Sequence, residues 1–321
     1  MIPQEWIDQA VEQLDGRVRR TPLTYDAEND WYLKWENHQV TGSFKARGAT
    51  HKVLSLEPWE RAAGLVTASA GNNGQGVALA AKEVGARVIV FASEEASPVK
   101  LAAMRDLGAE VRLVPGRYAD AEKAGKEFAA RQRAAWISPY NDPRIIAGQA
   151  TLGLEMMAQL APAEAAVCVV PAGGGGLLAG IGLALQHFAR RPALVGVQAE
   201  ASAFLHALYH RNSQDGVVDL PSLVDGLGDP VEEHSITIPV VRSYTDDFLL
   251  VNEEAIAQAI AYAWHRYGER IEGSGAAPLA AVLSGKITPR PALLVISGGN
   301  IQTELHAKIC AQGHSVSGEG K

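Results

Sequence analysis

Short apolar runs alternate with longer amphipathic stretches along most of the chain. Short runs rich in β-branched residues are typical of buried strands, and apolar residues three or four positions apart indicate helices. Because strands that alternate with helices form parallel sheets, the pattern predicts an α/β protein. In a first series we predict strands at Ala63–Ala68, Arg87–Ala92, Glu110–Val114 and Ala134–Ser138, with helices at Asn73–Val84, Pro98–Leu107 and Ala119–Arg131 between them.

A second series begins with a helix near Ile145 and predicts another α/β domain, so that the fold consists of two parallel-sheet domains. The stretch from Asn212 to Tyr244 is irregular and rich in Asp, Pro and Ser, which favours a long surface connection. The polar, Gly-rich residues 314–321 are expected to be disordered. The predicted elements of this series are strands at Ala165–Val170, Ala193–Gln198 and Ala292–Ile296, and helices at Gly176–His187, Glu253–Tyr267 and Pro278–Leu283.

Composition and charge restrict the partners that this chain can bind. Its 321 residues carry a formal net charge of −7, whereas nucleic acids and anionic membranes call for a concentrated basic patch, so neither partner is expected. Only Cys168 and Cys310 are present, which predicts neither a disulfide framework nor a cysteine zinc site. No apolar stretch approaches membrane-spanning length and no signal-type block opens the chain, so a cytoplasmic protein is expected.

Candidate chemistry is concentrated in four segments that fall where strands should end or helices begin. One is Thr41–Ala49, in which small residues flank Lys45 and favour a desolvated amine with a lowered pKa, suited to a Schiff base. Taken alone, this lysine is more simply a solvated surface charge. Another is Ser297–Asn300, in which the hydroxyl of Ser297 would point into the crevice where α/β proteins bind ligands. The simpler interpretation is a turn in which Asn300 caps a helix.

The other two segments are glycine-rich turns between a strand and a helix. Ser69–Gly76 exposes N–H groups at a helix N-terminus, which suits a carboxylate or a phosphate, although an ordinary turn explains it equally well. Pro171–Leu178 contains four consecutive glycines, which favours bare backbone against a phosphate. The same stretch fits a dinucleotide-binding pattern, G-x-G-x-x-A followed by an acid, at Gly174, Gly176, Ala179 and Glu200. A nicotinamide-dependent oxidoreductase is therefore an alternative.

Together, the four segments resemble the serine/threonine dehydratase group of fold-type II pyridoxal-phosphate enzymes, whose fold is similar to that of the tryptophan synthase β subunit. The nicotinamide alternative leaves Lys45 and Ser297 unexplained. The resemblance implies a discontinuous large cofactor-binding domain, residues 1–50 and 143–321, and a small mobile domain, residues 51–142, which carries the substrate-carboxylate turn. It covers most of the chain and extends to Leu33–Asn37, Pro143–Glu155 and Glu272–Ala276.

The resemblance implies a role for each matched residue. Lys45 would hold pyridoxal 5'-phosphate as a Schiff base and would remove the Cα proton of the substrate. Ser297 would face the pyridine nitrogen as a neutral partner, which makes the cofactor a weaker electron sink and favours elimination over transamination. The implied cofactor contacts are Phe44, Lys45, Asn72, Gly173, Gly174, Gly175, Gly176, Leu177 and Ser297. The implied substrate contacts are Ser69, Ala70, Gly71, Asn72, Asn73 and Gly74.

The implied activity is dehydration and deamination of a small β-hydroxy amino acid, such as L-threonine or L-serine, to a 2-oxo acid and ammonia. The substrate stays open, because Asn73 stands where the group usually has histidine and Gly273 where it usually has proline. Dehydration of hydroxyaspartate or phenylserine, β-replacement, and cofactor binding without turnover are alternatives. In the racemases of the group a serine precedes the Gly-Asn pair of the substrate turn, whereas Ala70 stands here.

The resemblance also bears on cations, assembly and physiological role. Many relatives bind a monovalent or divalent cation near the position of Glu200. Here Phe204 and His206 replace the usual neighbours, so Glu200 is either a cation ligand or a salt-bridge partner. A homodimer is expected because dimers are the commonest homo-oligomers. The short stretch after the last motif leaves no room for an amino-acid-sensing domain, and a catabolic or detoxifying role is therefore expected.

Overall fold

The computed structural model describes residues 2–161, 164–224 and 226–313, so the predicted disorder of residues 314–321 lies outside it. Within these ranges ten strands form two sheets that helices cover, which confirms the predicted α/β class. The strands are β1 (Leu23–Asp26), β2 (Trp31–Trp35), β3 (Leu65–Ala68), β4 (Val88–Ser93), β5 (Glu110–Val114), β6 (Ala135–Trp136), β7 (Val167–Pro171), β8 (Ala193–Ala199), β9 (Asp247–Val251) and β10 (Ala292–Ile296).

Most of the helices follow a strand, as the alternating pattern predicts. None of those in the described ranges is both long and apolar enough to cross a membrane. The α-helices are α1 (Gln4–Leu14), α2 (Lys45–Leu54), α3 (Pro58–Ala63), α4 (Asn72–Glu83), α5 (Pro98–Asp106), α6 (Tyr118–Gln132), α7 (Pro143–Leu160), α8 (Gly176–Leu185), α9 (Phe204–Arg211), α10 (Thr237–Tyr244), α11 (Glu253–Tyr267), α12 (Gly273–Leu283) and α13 (Thr303–Gly313).

The larger sheet has the strand order β1-β2-β10-β7-β8-β9, and all neighbours are parallel except β1 and β2. Successive side chains of a strand point to opposite faces. Leu33, Val169 and Leu294 accordingly pack against α11, α12 and α13, whereas Cys168 and Leu293 pack against α1, α7 and α8. The central strands are thus buried on both faces, as parallel sheets require.

The smaller sheet has the order β5-β4-β3-β6 and is parallel throughout. Leu65 and Val90 pack on the side of α4 and α5, and Val66 and Phe91 pack on the side of α6. All four strands fall between β2 and β7 in the chain. The domain boundaries inferred above, and the mobility of residues 51–142, stay predictions.

Two element predictions are wrong, and packing explains both. The prediction begins α12 at Pro278, because proline is favoured in the first turn of a helix. In the structure the helix begins at Gly273. The residues before the proline are small because a Cβ at Gly275 would lie 2.5 Å from the carbonyl oxygen of Gly298. The stretch predicted to be irregular contains α10, whose Val241 is fully buried against neighbouring elements.

Candidate active site

A cavity of about 600 Å³ opens at the carboxyl ends of β3, β7 and β10. Strands of α/β sheets bind ligands at these ends, and pockets for cofactors and small substrates measure roughly 300–1,000 Å³. The cavity brings together the residues of all four candidate segments. Of the predicted cofactor and substrate contacts, Gly74 is the one that does not line it; a Cβ there would overlap the sulfur of Met104, which indicates a packing role.

Lys45 is the first residue of α2 and lies in the wall of the cavity. Its Nζ donates a hydrogen bond to the carbonyl oxygen of Pro139 at 2.8 Å and lies 5.3 Å from the centre of the Phe44 ring. Burial lowers the pKa of Lys45 to about 8, although the carboxylate of Glu272 opposes this shift. An amine with such a pKa is partly neutral at neutral pH, as a Schiff-base nucleophile must be.

The segment before Lys45 is attached to the end of β10. The backbone N–H of Phe44 donates to the carbonyl oxygen of Ser297 at 3.0 Å, and that of Gly299 donates to the carbonyl oxygen of Gly42 at 2.9 Å. Gly42 has a φ of +73°, which a residue with a side chain rarely adopts. These contacts hold Lys45 and the buried Ser297 in adjoining parts of the cavity wall.

A buried ion network anchors the first turn of α2. The guanidinium of Arg47 donates two hydrogen bonds of 2.8 Å to Glu36, and it contacts Glu155 at 2.9 Å. Glu155 also binds Lys34, whose side chain is fully buried. Burial alone would raise the pKa of Glu36, but Arg47 lowers it. The network therefore ties α2 to the end of β2 and to α7, which is distant in the chain, and it fixes the backbone of Lys45.

The glycine loop that follows β7 forms a bare-backbone cradle. Gly175 has a φ of +86°, and α8 begins at the next residue without a side-chain cap. A Cβ at Gly173 would lie 2.8 Å from the Cα of Leu227, so no larger residue fits there. The N–H groups of Gly176 and Leu177 belong to the first turn of α8, where they have no intrahelical partners. A helix N-terminus of this kind suits a phosphate.

Tyr140 closes the cradle, and the sequence reasoning missed it. Its ring occupies the space that a Cβ at Gly174 would need. A Cβ added at Gly176 would lie 3.0 Å from the Cβ of Tyr140. The Tyr140 hydroxyl accepts a hydrogen bond from the backbone N–H of Glu232 at 2.8 Å. Tyr140 lies shortly after β6. Because ligands of α/β proteins bind beyond the carboxyl ends of strands, this position could have indicated a role for Tyr140.

The turn after β3 presents backbone to the cavity. The Oγ of Ser69 accepts the N–H of Gly71 at 3.0 Å, and Ala70 is exposed. The side-chain amide of Asn73 donates to the hydroxyl of Thr67 at 2.9 Å, inside the fold. A carboxylate bound here would therefore contact the backbone N–H of Asn73 rather than its side-chain amide. Asn72 starts α4 and contacts both Glu272 and Asn300. From the sequence, Asn300 is interpreted only as a helix cap, and the Glu272 side chain has no assigned role.

The donor set of the cavity fits pyridoxal phosphate. The uncapped start of α8 suits its phosphate, Lys45 suits its aldehyde, and the Ser297 hydroxyl suits its ring nitrogen. Two further wall atoms, the Oγ of Ser274 and the Oε1 of Gln149, are buried without a hydrogen bond to the described part of the protein. Buried polar atoms normally have partners, so these two atoms favour a polar occupant.

Glu200 lies outside this cavity, at the end of β8. Its Oε1 is 3.4 Å from the Nζ of Lys286, and both side chains are about half exposed. No group of three His, Cys, Asp or Glu side chains suited to a metal occurs in residues 2–161, 164–224 and 226–313. The geometry matches the salt-bridge interpretation of Glu200, and a bound cation stays a prediction.

Comparisons with known proteins agree with this geometry. Residues 14–298 match the model of a family described as pyridoxal-phosphate dependent enzyme. The L-threonine ammonia-lyase of Thermotoga maritima is 38% identical over 325 residues, which cover 99% of this chain and 80% of that protein.

Two solved structures are also similar. A threonine deaminase from T.th. is 34% identical with a TM-score of 0.84, covering 93% of this chain and 98% of that one. Maize serine racemase is 26% identical with a TM-score of 0.86, covering 97% and 98%. These matches confirm the resemblance, the fold and the cofactor inferred from the sequence, and they leave the nicotinamide alternative without support. The chain therefore belongs to the family of pyridoxal-phosphate-dependent enzymes.

Proposed function

We propose that this enzyme is an ammonia-lyase that dehydrates and deaminates a small β-hydroxy amino acid, L-threonine or L-serine, to a 2-oxo acid and ammonia. The observation that carries the proposal is a single cavity in which Lys45, with a pKa near 8, lies with the glycine cradle 173–176 and the neutral Ser297. The names of the similar ammonia-lyase and deaminase support it. A cytoplasmic location and a homodimer belong to the same proposal.

Bound pyridoxal phosphate supplies an electron sink that makes the Cα–H bond of an attached amino acid acidic. Lys45 holds the cofactor and then accepts the Cα proton at Nζ, which its lowered pKa permits. The backbone of residues 69–73 binds the substrate carboxylate and orients the Cα–H bond. Ser297 carries no charge, so it does not stabilise a protonated ring, and loss of the β-hydroxyl is favoured over transamination.

A substrate panel tests the proposal. The purified holoenzyme should have a visible absorption band that borohydride removes, and it should release 2-oxo acid and ammonia in equal amounts from L-threonine or L-serine. Hydroxyaspartate, phenylserine, and L-serine with an added thiol complete the panel, because they report the alternative dehydratases and β-replacement. A protein that binds the cofactor but releases no 2-oxo acid from any member would contradict the proposal.

Lys45→Ala tests the assignment of the central residue. We expect the borohydride-sensitive band to disappear and the rate of 2-oxo acid release to fall by at least about 10³-fold, since both the covalent attachment and the base are lost. Lys45→Arg should behave alike, because it keeps the charge but forms no Schiff base. Lys52→Ala removes a lysine of the same helix that pairs with Asp142, and it should retain both signals. A reducible band in Lys45→Ala would refute the assignment.

A further inference from the structure

The side-chain amide of Asn72 is held at both ends. Its Nδ2 donates to Oε1 of Glu272 at 2.6 Å, and its Oδ1 accepts from Nδ2 of Asn300 at 2.7 Å. Asn72 begins α4, next to the smaller sheet, whereas Glu272 precedes α12 and Asn300 follows β10 of the larger sheet. The two hydrogen bonds thus join the two parts of the fold at the cavity.

The chemistry of the partners determines which way the amide points. The carboxylate of Glu272 only accepts hydrogen bonds, so the Nδ2 of Asn72 must face it. Asn300 fixes the other end, because its Nδ2 donates both to Asn72 and to the carbonyl oxygen of Thr41 at 2.8 Å. Glu272 is 5% exposed, and hydrogen bonds to a buried carboxylate are short and strong. A rotation of the Asn72 amide by 180° would place oxygen against oxygen and nitrogen against nitrogen.

We propose that Glu272 and Asn300 are positioning residues that fix the orientation of the Asn72 amide. This orientation leaves the second N–H of Nδ2 for an oxygen acceptor held in the cavity that Asn72 lines. The inference rests on the proposed function and on the cofactor contact that the resemblance implies for Asn72; the acceptor would be the ring oxygen of pyridoxal phosphate. An amide able to rotate would present its own oxygen to this acceptor part of the time, and two acceptors repel each other. The pair therefore stabilises the bound cofactor through Asn72.

Reversing the polarity of one partner tests the proposal. Asn300→Asp keeps the size of the side chain but replaces the donor to Asn72 with a second carboxylate. We expect the affinity of the cofactor-free protein for pyridoxal phosphate to fall at least about tenfold, a loss of about 1.4 kcal/mol. The absorption maximum of the bound cofactor should also shift. Glu272→Leu should weaken binding similarly, and Glu272→Gln, which still offers an acceptor oxygen, should recover most of it.

A neighbouring asparagine provides the control. Asn37 also donates its Nδ2 to a carboxylate, that of Glu269 at 2.8 Å, but it does not line the cavity. Asn37→Asp should keep the wild-type affinity and spectrum. The inference is overturned if Asn300→Asp matches the wild type, if it matches Asn37→Asp, or if Glu272→Leu and Glu272→Gln behave alike. Thermal unfolding of each cofactor-free variant identifies any that does not fold, and the Glu272 pair then decides. Wild-type protein that binds no cofactor would instead overturn the proposed function.

Discussion

At the residue scale, Gly174 gives the sharpest steric test of the phosphate cradle. A methyl group at this position would overlap the ring of Tyr140, so Gly174→Ala must displace either the ring or the loop. Overpacking of this kind costs about 1–3 kcal/mol. We expect the affinity for pyridoxal phosphate, measured by titration of the cofactor-free protein, to fall about tenfold or more.

Gly228→Ala is the matched control, because it adds a methyl group to the wall of the same cavity with its nearest neighbour, Oδ1 of Asp219, at 3.8 Å. That distance is ordinary van der Waals contact, so the affinity of Gly228→Ala for pyridoxal phosphate should stay within about twofold of that of the wild type. Equal affinities of the two variants would show that the loop 173–176 does not hold the phosphate.

Ala70 predicts that the enzyme dehydrates without racemising. Racemisation needs a second acid or base on the face of the substrate opposite Lys45, and an alanine has no transferable proton. Ala70 is exposed in the cavity wall, where a serine would bring a hydroxyl to the substrate. L-Serine recovered after extended turnover should contain little D-serine on chiral chromatography.

Ala70→Ser should raise the ratio of D-serine to 2-oxo acid. Ala70→Val, which adds bulk but no hydroxyl, should not. Substantial D-serine formation by the wild-type enzyme would mean that another group serves the second face of the substrate.

Local sequence predicted some of these residues and not others, for a physical reason. The context of Lys45 indicates a desolvated amine, because neighbouring small residues determine burial locally. Its hydrogen bond to Pro139, 94 positions away, depends on how the two sheets meet. The contacts of Glu272 and Asn300 with Asn72 escape prediction for the same reason, since both residues come from a distant part of the chain.

At the scale of elements, the buried ion network predicts where stability is concentrated. Arg47→Met removes the guanidinium from a carboxylate of Glu36 that is fully buried. Removing one partner of a buried pair costs about 3–5 kcal/mol, because the remaining charge is left without compensation. We expect urea unfolding, followed by circular dichroism, to show a loss of this size in the free energy of unfolding.

Arg87→Met provides the comparison, since Arg87 pairs with Glu110 on an exposed surface and should cost less than about 1 kcal/mol. Similar losses for the two variants would mean that the network contributes no more than a surface pair.

The elements themselves were predictable where periodicity is strong. β5, β10 and α11 have the predicted bounds. The pattern gave no strand at β2 and no helix at α10, and it began α12 too late. These elements depend on packing: β2 pairs with β10 from the other end of the chain, and α12 starts with small residues that carry no apolar period.

At the scale of the whole molecule, the cavity between the two sheets predicts a movement. The carboxylate turn 69–74 lies on the smaller sheet, whereas Lys45 and the glycine loop lie beside the larger one. Substrate that contacts both parts should draw them together and exclude water. We expect slower amide hydrogen exchange within residues 51–142 when the holoenzyme binds L-alanine, which lacks a β-hydroxyl leaving group.

Helix α11 is the internal reference, because it packs against the far face of the larger sheet. Its exchange should not change. Equal protection of α11 and of residues 51–142, or none in either, would argue against a mobile smaller domain.

The position of β10 between β2 and β7 has a consequence for how the chain matures on the ribosome. β2 has no parallel neighbour until β10 has been translated, because β10 alone joins it to β7. The smaller sheet needs only residues 65–136, so the nascent chain can complete it first, and pairing of distant strands is slow in any case. Ser297 and the anchor of the Lys45 segment both follow β10. The cavity can therefore form only after β10 and Ser297 have been translated, so we expect pyridoxal phosphate to bind after the smaller sheet has folded.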